Sequence, residues 1–264
     1  MAGVAWHTGV LLGLAERGVD LTAADRIVGT SAGATVAAQV GGGAELAALF
    51  ERQIDTASIT TELTPTLSIA ELWAQMAPIY SESTDDEDRR RRLGRLALDA
   101  DTVDESVRRQ VIAARLEGVD WLGDRAVVVA VEATSGARRV FDHSSGVDLV
   151  DAVAASCAVP GVWPPVTIDG KRYLDGGIWS MTNSDLVRGC QRVVVLAPFV
   201  DEAMKAELAG LGGGVHSVVI TPDAVSLKAF GTDVLDPVFR EPSARAGLSQ
   251  GHLEVEQVAT LLAS

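Results

Sequence analysis

The chain has 264 residues, 47% of them hydrophobic and 22% charged, with a formal net charge of −14. That length suits one large α/β domain, taken as 1–264. The acidity argues against nucleic acid, which needs clustered Lys and Arg, and against strongly anionic membrane surfaces. Cys157 and Cys190 make no disulfide framework and read as small core residues, and four scattered histidines show no metal-ligand spacing. No metal and no organic cofactor is expected.

Met1-Ala2-Gly3-Val4 has neither the basic start nor the apolar run of a signal peptide, and no segment approaches the ~20 apolar residues of a membrane span. The expectation is a cytoplasmic protein, with contact at a membrane surface left open. Val4 to Arg17 reads as a helix with Trp6, Val10 and Leu14 on one face and Gly18 as its stop. Gly9 and Gly13 lie one turn apart and predict a close approach to a sheet. A strand over 26–28 then meets Gly29-Thr30-Ser31-Ala32-Gly33, which opens into a helix. Strand, sharp turn and helix with a serine at the turn is the G-x-S-x-G elbow pattern, although five small residues also occur in ordinary βα turns. The helix after Ser31 ends at Gly41-Gly42-Gly43, which reads as a hinge or linker to the next helix.

Residues 44–120 carry little strand signal and predict a helical insertion, with helices over 45–54, 69–76, 86–98 and 103–116. Asp85-Asp86-Glu87-Asp88 ahead of Arg89-Arg90-Arg91-Arg92 suits the helix dipole and i,i+4 pairing on a solvated face. From Ala126 the pattern turns to strands. Ala126–Val131 and Arg138–Phe141 flank Ser135-Gly136. A helix over 148–156 leads to the proline-rich turn Cys157–Pro165. Val166–Ile168 and Lys171–Leu174 flank Asp169-Gly170, a strong hairpin signal. The second of these strands runs into Asp175-Gly176-Gly177. Strands over 192–197 and 216–220, a helix over 201–211 and a terminal helix from Ser249 complete the chain.

A serine hydroxyl is a poor nucleophile at neutral pH and needs a base. Asp175 stands out: a carboxylate at a strand end, followed by two glycines, sits in open, tightly turned backbone that another side chain can approach, or it caps an Asx-turn. The order Ser31, Asp175, then His216 or His252 also fits the Ser…Asp…His order of α/β-hydrolases, though only 30 residues precede this serine. His7 and His143 read as packed or solvated residues.

Taken together, Gly29–Gly33, Asp175-Gly176-Gly177, the Ala154–Pro165 segment between them and the opening Trp6-His7-Thr8-Gly9-Val10-Leu11 resemble the patatin-like phospholipases, in the family's order and over nearly the whole chain. The resemblance implies a three-layer α/β/α sandwich with a mainly parallel central sheet. It also implies a serine–aspartate dyad, with Ser31 as nucleophile and Asp175 as general base, and a lipid acyl ester as substrate. The family's first strand and glycine run precede the first helix. Here Gly3 alone matches that loop, so the sequence is expected to begin inside the family's pattern. Oxyanion donors would lie near Gly3 and Ala32, with Gly29, Gly33, Gly176 and Gly177 as motif residues. Trp163 and Trp179 are candidates for an acyl groove or for core packing. A catalytically impaired binding or regulatory protein of the same shape is the competing reading.

Overall fold

The computed structural model describes residues 1–55, 62–65, 67–200 and 202–264. The chain opens with α1 (Ala2–Glu16), then β1 (Ile27–Thr30), α2 (Ala32–Gly41) and α3 (Leu46–Ile54). Next come α4 (Ile69–Glu82), α5 (Asp86–Asp99) and α6 (Glu105–Arg115). The strands β2 (Ala126–Glu132) and β3 (Arg138–Phe141) precede α7 (Leu149–Ser156), β4 (Val166–Ile168) and β5 (Lys171–Asp175). The last third holds β6 (Arg192–Leu196), α8 (Glu202–Ala209), β7 (His216–Ile220), α9 (Ala224–Ala229), α10 (Arg240–Leu253) and α11 (Val255–Ala263).

The expected α/β sandwich forms, with mixed rather than mainly parallel strands. A five-stranded sheet has the order β1-β2-β5-β4, with β3 also on β2, and β6 and β7 make a separate pair. β1 with β2 and β6 with β7 are parallel, whereas β2–β3, β2–β5 and β4–β5 are antiparallel. The antiparallel share comes from tight hairpins. Asp169 and Gly170 both have positive φ, the backbone that a two-residue hairpin turn requires.

Alternation along β2 sets the layers, because successive side chains leave a strand on opposite faces. Val128 and Ala130 join Ala34 and Ala38 of α2, Ile112 of α6 and Leu149, Ala152 and Val153 of α7. Val131 and Leu174 turn the other way, onto Leu72 and Met76 of α4 and Leu93 and Ala97 of α5. Every described helix of the 44–120 stretch was expected there, while residues 56–61 and 66 of that stretch lie outside the described residues. No described helix is long and apolar enough to cross a membrane.

α1 is apolar on nearly every side and buried on nearly every side. Trp6, Val10 and Leu14 pack on Ile220 and Phe230, and Val4 and Leu11 pack on Val36 and Val40. The partner of Gly9 and Gly13 is a helix, not the expected sheet. A Cβ on Gly9 would lie 2.2 Å from the Ala244 carbonyl, and one on Gly13 would lie 2.3 Å from that of Leu248. Gly247 and Gly251 of α10 answer with carbonyls of Trp6 and Val10 at 2.4 Å. The sequence pattern could not choose between sheet and helix, since the matching glycines sit more than 230 residues away. Nor is α10 a short terminal helix: it starts at Arg240, ahead of the expected Ser249, and tolerates Pro242 in its first turn. Gly41–Gly43 is likewise no free hinge. A Cβ on Gly41 would meet Ala126 Cβ at 2.7 Å, so this turn is pressed onto the start of β2.

Candidate active site

Register brings the two candidate residues to one place. Thr30, the last residue of β1, pairs with Val129 of β2, and Asp175, the last of β5, pairs with Ala130 of the same strand. β3 takes the opposite edge of β2, so β1 and β5 run toward each other along one edge, and Ser31, the residue after Thr30, meets Asp175 where the two strands end.

Ser31 carries the turn. Its φ of 54° and ψ of −118° lie outside the regions that side-chain-bearing residues prefer, a conformation costing about 1–3 kcal/mol that the surroundings must enforce. Three contacts do so. Its N–H donates to Ser156 Oγ at 3.0 Å, and its carbonyl accepts from Cys157 Sγ at 3.1 Å and from the Ala34 N–H at 2.9 Å. Gly29 has no room for a methyl: a Cβ there would meet the Gly33 carbonyl at 2.5 Å and Ala34 Cα at 2.6 Å. Gly33 is different, because its Cβ position is open, with His7 Cε1 at 3.9 Å. The hydroxyl of Thr30 accepts from Asn183 Nδ2 at 3.0 Å, and Asn183 is tied to Ser180 and Arg138.

Asp175 is buried at the strand end. Its N–H donates to the Ala158 carbonyl at 3.0 Å, and its Oδ1 accepts from the Gly177 N–H at 2.8 Å. Burial pushes its carboxyl up to about 6, while the Ser31 hydroxyl and the Gly177 N–H pull the other way. The hydroxyl is near enough to favour the charged form without completing a hydrogen bond of good geometry, because Oδ2 is buried without a partner. The following Gly176 lies against β2, where a Cβ would meet the Val129 carbonyl at 2.3 Å. A Cβ on Gly177 would meet Asp175 Oδ1 at 3.0 Å.

Ser156, Cys157 and Ala158, the end of α7, thus hold both halves of the site. Their sequence block was visible, but nothing in it signalled these hydrogen bonds. A serine inside an otherwise apolar Ala-Ala-Ser-Cys-Ala run is the one hint.

The remaining residues fall as follows. Gly3 abuts the elbow, its Cβ position 3.0 Å from Ala32 Cβ. Ala32 and Gly33 are in the first turn of α2 and Gly3 in that of α1, and such N–H groups have no intrahelical carbonyl to pair with. Trp163 is buried with the Arg108 guanidinium over its ring at 3.9 Å, and Trp179 is half-buried between Arg90 and Arg138 at 4.2 and 5.1 Å. Both belong to the α4–α5 side of the core. His216 is exposed at the start of β7, and His252 pairs with Glu16 at 2.7 Å. The imidazole beside the elbow is His7. Its Nε2 hydrogen-bonds the Leu196 carbonyl at 3.1 Å, and burial pushes it down to about 4, so it is neutral at pH 7.

Comparison with known proteins gives the lineage. No curated protein matches the chain. Among solved structures it is similar to VipD from Legionella pneumophila, with 14% identity and a TM-score of 0.49 over 97% of this chain and 65% of that one. The family model described as patatin-like phospholipase matches residues 1–187. That span takes in α1, the elbow, the α7 end and Asp175, and the chain belongs to the patatin-like phospholipase family.

Proposed function

We propose that the protein hydrolyses lipid acyl esters with Ser31 as nucleophile and Asp175 as base. The observation that carries this reading is the pair itself: a strained serine at a strand–helix turn, where β1 ends against the end of β5, and there a buried carboxylate with an open oxygen. Ser31 Oγ attacks the ester carbonyl and Asp175 Oδ2 takes its proton. The proton passes to the leaving alcohol, freeing it and leaving an acyl-serine. Asp175 then deprotonates a water that attacks this second ester and restores the serine. A carboxyl near 6 is a better base than an ordinary one and is still ionised at pH 7. The negative charge on the tetrahedral oxygen is met by N–H groups at the start of α2 and near Gly3, each such donor being worth about 10²–10³ in rate. The substrate is met at a lipid surface, by transient contact. A histidine triad finds no support, since His252 is engaged with Glu16 and His216 opens an outlying strand.

The test is labelling by a fluorophosphonate probe with release of fatty acid from a lipid ester. Both are expected from the native chain, and both should vanish in Ser31→Ala. Labelling that survives Ser31→Ala sinks the assignment of the nucleophile. A native chain that binds lipid without labelling or turnover would instead be a binding protein of patatin shape.

A further inference from the structure

A buried polar network lies beyond Asp175, and the proposed chemistry leaves it unused. Asn183 is its centre. It is fully buried, and its φ of 49° and ψ of 39° put it in the left-handed region, which asparagine tolerates better than most residues and glycine best. Its Nδ2 donates twice, to the Ser180 carbonyl at 2.7 Å and to Thr30 Oγ1 at 3.0 Å. Its Oδ1 accepts from Arg138 Nη1 at 3.3 Å, and Arg138 makes a two-pronged pair with Asp185 at 2.7 and 2.8 Å. A guanidinium only donates and a carbonyl only accepts, so these two neighbours allow the Asn183 amide one orientation, with an N–H toward Thr30. Burying an amide is costly unless its hydrogen bonds are made, and the three made here mark a fixed joint.

The joint closes a ring around the two residues of the site. Ser31 follows Thr30 in the chain. Thr30 is bonded to Asn183, whose amide is bonded to the Ser180 carbonyl, and the Ser180 N–H donates to the Gly176 carbonyl at 3.3 Å. Gly176 follows Asp175, and the Gly177 N–H holds Asp175 Oδ1. The Asn183 N–H adds a second link to Ser180, through its Oγ at 2.9 Å. The methyl of Thr30 faces Gly176, where a Cβ would meet Thr30 Cγ2 at 3.2 Å. Within this ring the Thr30–Asn183 bond alone joins the segment carrying Asp175 to the one carrying Ser31. A strained turn relaxes by moving its neighbours unless they are held, and this bond holds the residue just before the strained Ser31.

We propose that Asn183 is a positioning residue that, through the Thr30 hydroxyl, fixes the separation of Ser31 Oγ and Asp175 Oδ2. The inference rests on the hydrolase reading and adds to it a residue that touches neither substrate nor reacting atoms. A proton passes directly between two oxygens only at hydrogen-bond reach, and a misplacement of about 1 Å costs about 10²-fold in rate. Losing the Thr30–Asn183 bond therefore lowers kcat, whereas KM, which reflects contacts with the ester, stays.

The test is steady-state hydrolysis of 4-nitrophenyl butyrate by the full chain, with kcat and KM read separately. Thr30→Val keeps the shape and the methyl facing Gly176 and removes the hydroxyl, so kcat should fall at least about tenfold with KM within about twofold of native. Thr30→Ser restores the hydroxyl and should keep kcat within about threefold of native. Asn183→Gly removes the amide where the left-handed backbone suits glycine, and should match Thr30→Val. The double variant should lose no more than either single one, as the two ends of one bond do. Native kcat in Thr30→Val, an equal fall in Thr30→Ser, or losses that multiply in the double variant overturn the proposal. A bond with a structural role alone would lower the melting temperature of Thr30→Val and Asn183→Gly and leave kcat native, which overturns it too. Where Thr30→Val does not fold, native kcat in Asn183→Gly is the overturning result. A native chain that neither hydrolyses the ester nor takes a fluorophosphonate label strikes the hydrolase reading and this inference together. A native chain that does both, with Thr30→Val its equal, strikes the inference alone.

Discussion

The centre around Ser31 and the helix α5 are held by opposite means. At the centre, backbone lies on backbone. Gly29 and Gly176 admit no methyl, the Ser31 dihedrals are forced, and the peptide groups of Ser31 and Asp175 are hydrogen-bonded. On α5, charge does the holding. Asp85 caps the Asp88 N–H, and Arg89, Arg91 and Arg92 pair with Asp86, Glu87 and Asp88. Of this basic run only Arg90 turns inward, donating to the Gly136 carbonyl and covering Trp179. Steric fit has no slack, whereas exposed ion pairs are weak and interchangeable. The difference teaches where substitutions will be felt: one added methyl outweighs a lost charge pair.

The largest effect should come from Gly29→Ala. A methyl 2.5 Å from the Gly33 carbonyl must part β1 from α2, costing about 3 kcal/mol or more, readable in denaturant unfolding. Stability close to native would break the contrast at its strongest point. Asp175→Asn comes next, and acts in the opposite sense. The raised carboxyl stabilises the fold below the ordinary value of 3.8, and that contribution is lost as pH rises through about 6. At pH 7 the charge therefore weakens the fold by roughly 3 kcal/mol, and the neutral amide should recover part of it while hydrolysis collapses. Melting of the two proteins at pH 4 and pH 7 checks the sign, because the gain should appear only at the higher pH. The same ionisation should make native kcat/KM rise with pH through about 6, and a flat profile between pH 5 and 7 would remove Asp175 as the base. Gly33→Ala sharpens the contrast from within the motif. Its Cβ position is open and helical, so stability should change by less than about 1 kcal/mol, toward the stable side. Smallest of all is Arg91→Ala, whose pair with Glu87 is half-exposed at both ends and should be worth no more than about 0.5 kcal/mol in a thermal melt.

Legibility in the sequence follows the same division. The elbow could be read because small residues around Ser31 are demanded by local geometry, and the β4–β5 hairpin because Asp169-Gly170 has few other uses. Helices α4 to α6 could be read from periodicity and charge order. What depended on distant partners could not. Gly9 and Gly13 announced a close approach without naming Gly247 and Gly251. Ser156 and Cys157 looked like core filler until their partner at Ser31 was seen. Pro242, Gly247 and Gly251 disguised the helix α10. Arg108 belonged to a helix with an exposed charge at Arg109 and a half-buried one at Glu105, and nothing local separates a buried arginine from a solvated one.

The glycine-on-glycine seam between α1 and α10 bears on where this architecture could be divided. The stretch that carries the family's signature ends at residue 187, yet the helix that opens it is sheathed by residues 240–253 from the far end of the chain. Gln250 deepens the join, accepting from Trp6 Nε1 and from Ser226 Oγ and donating to the Thr221 carbonyl. A fragment cut at the signature's edge would leave Trp6, Val10 and Leu14 facing water without Ile220, Phe230 and Val258. The two ends of the polypeptide are thus one cooperative piece, and the turn at Ser31 inherits its rigidity from a segment that carries none of the family's motifs.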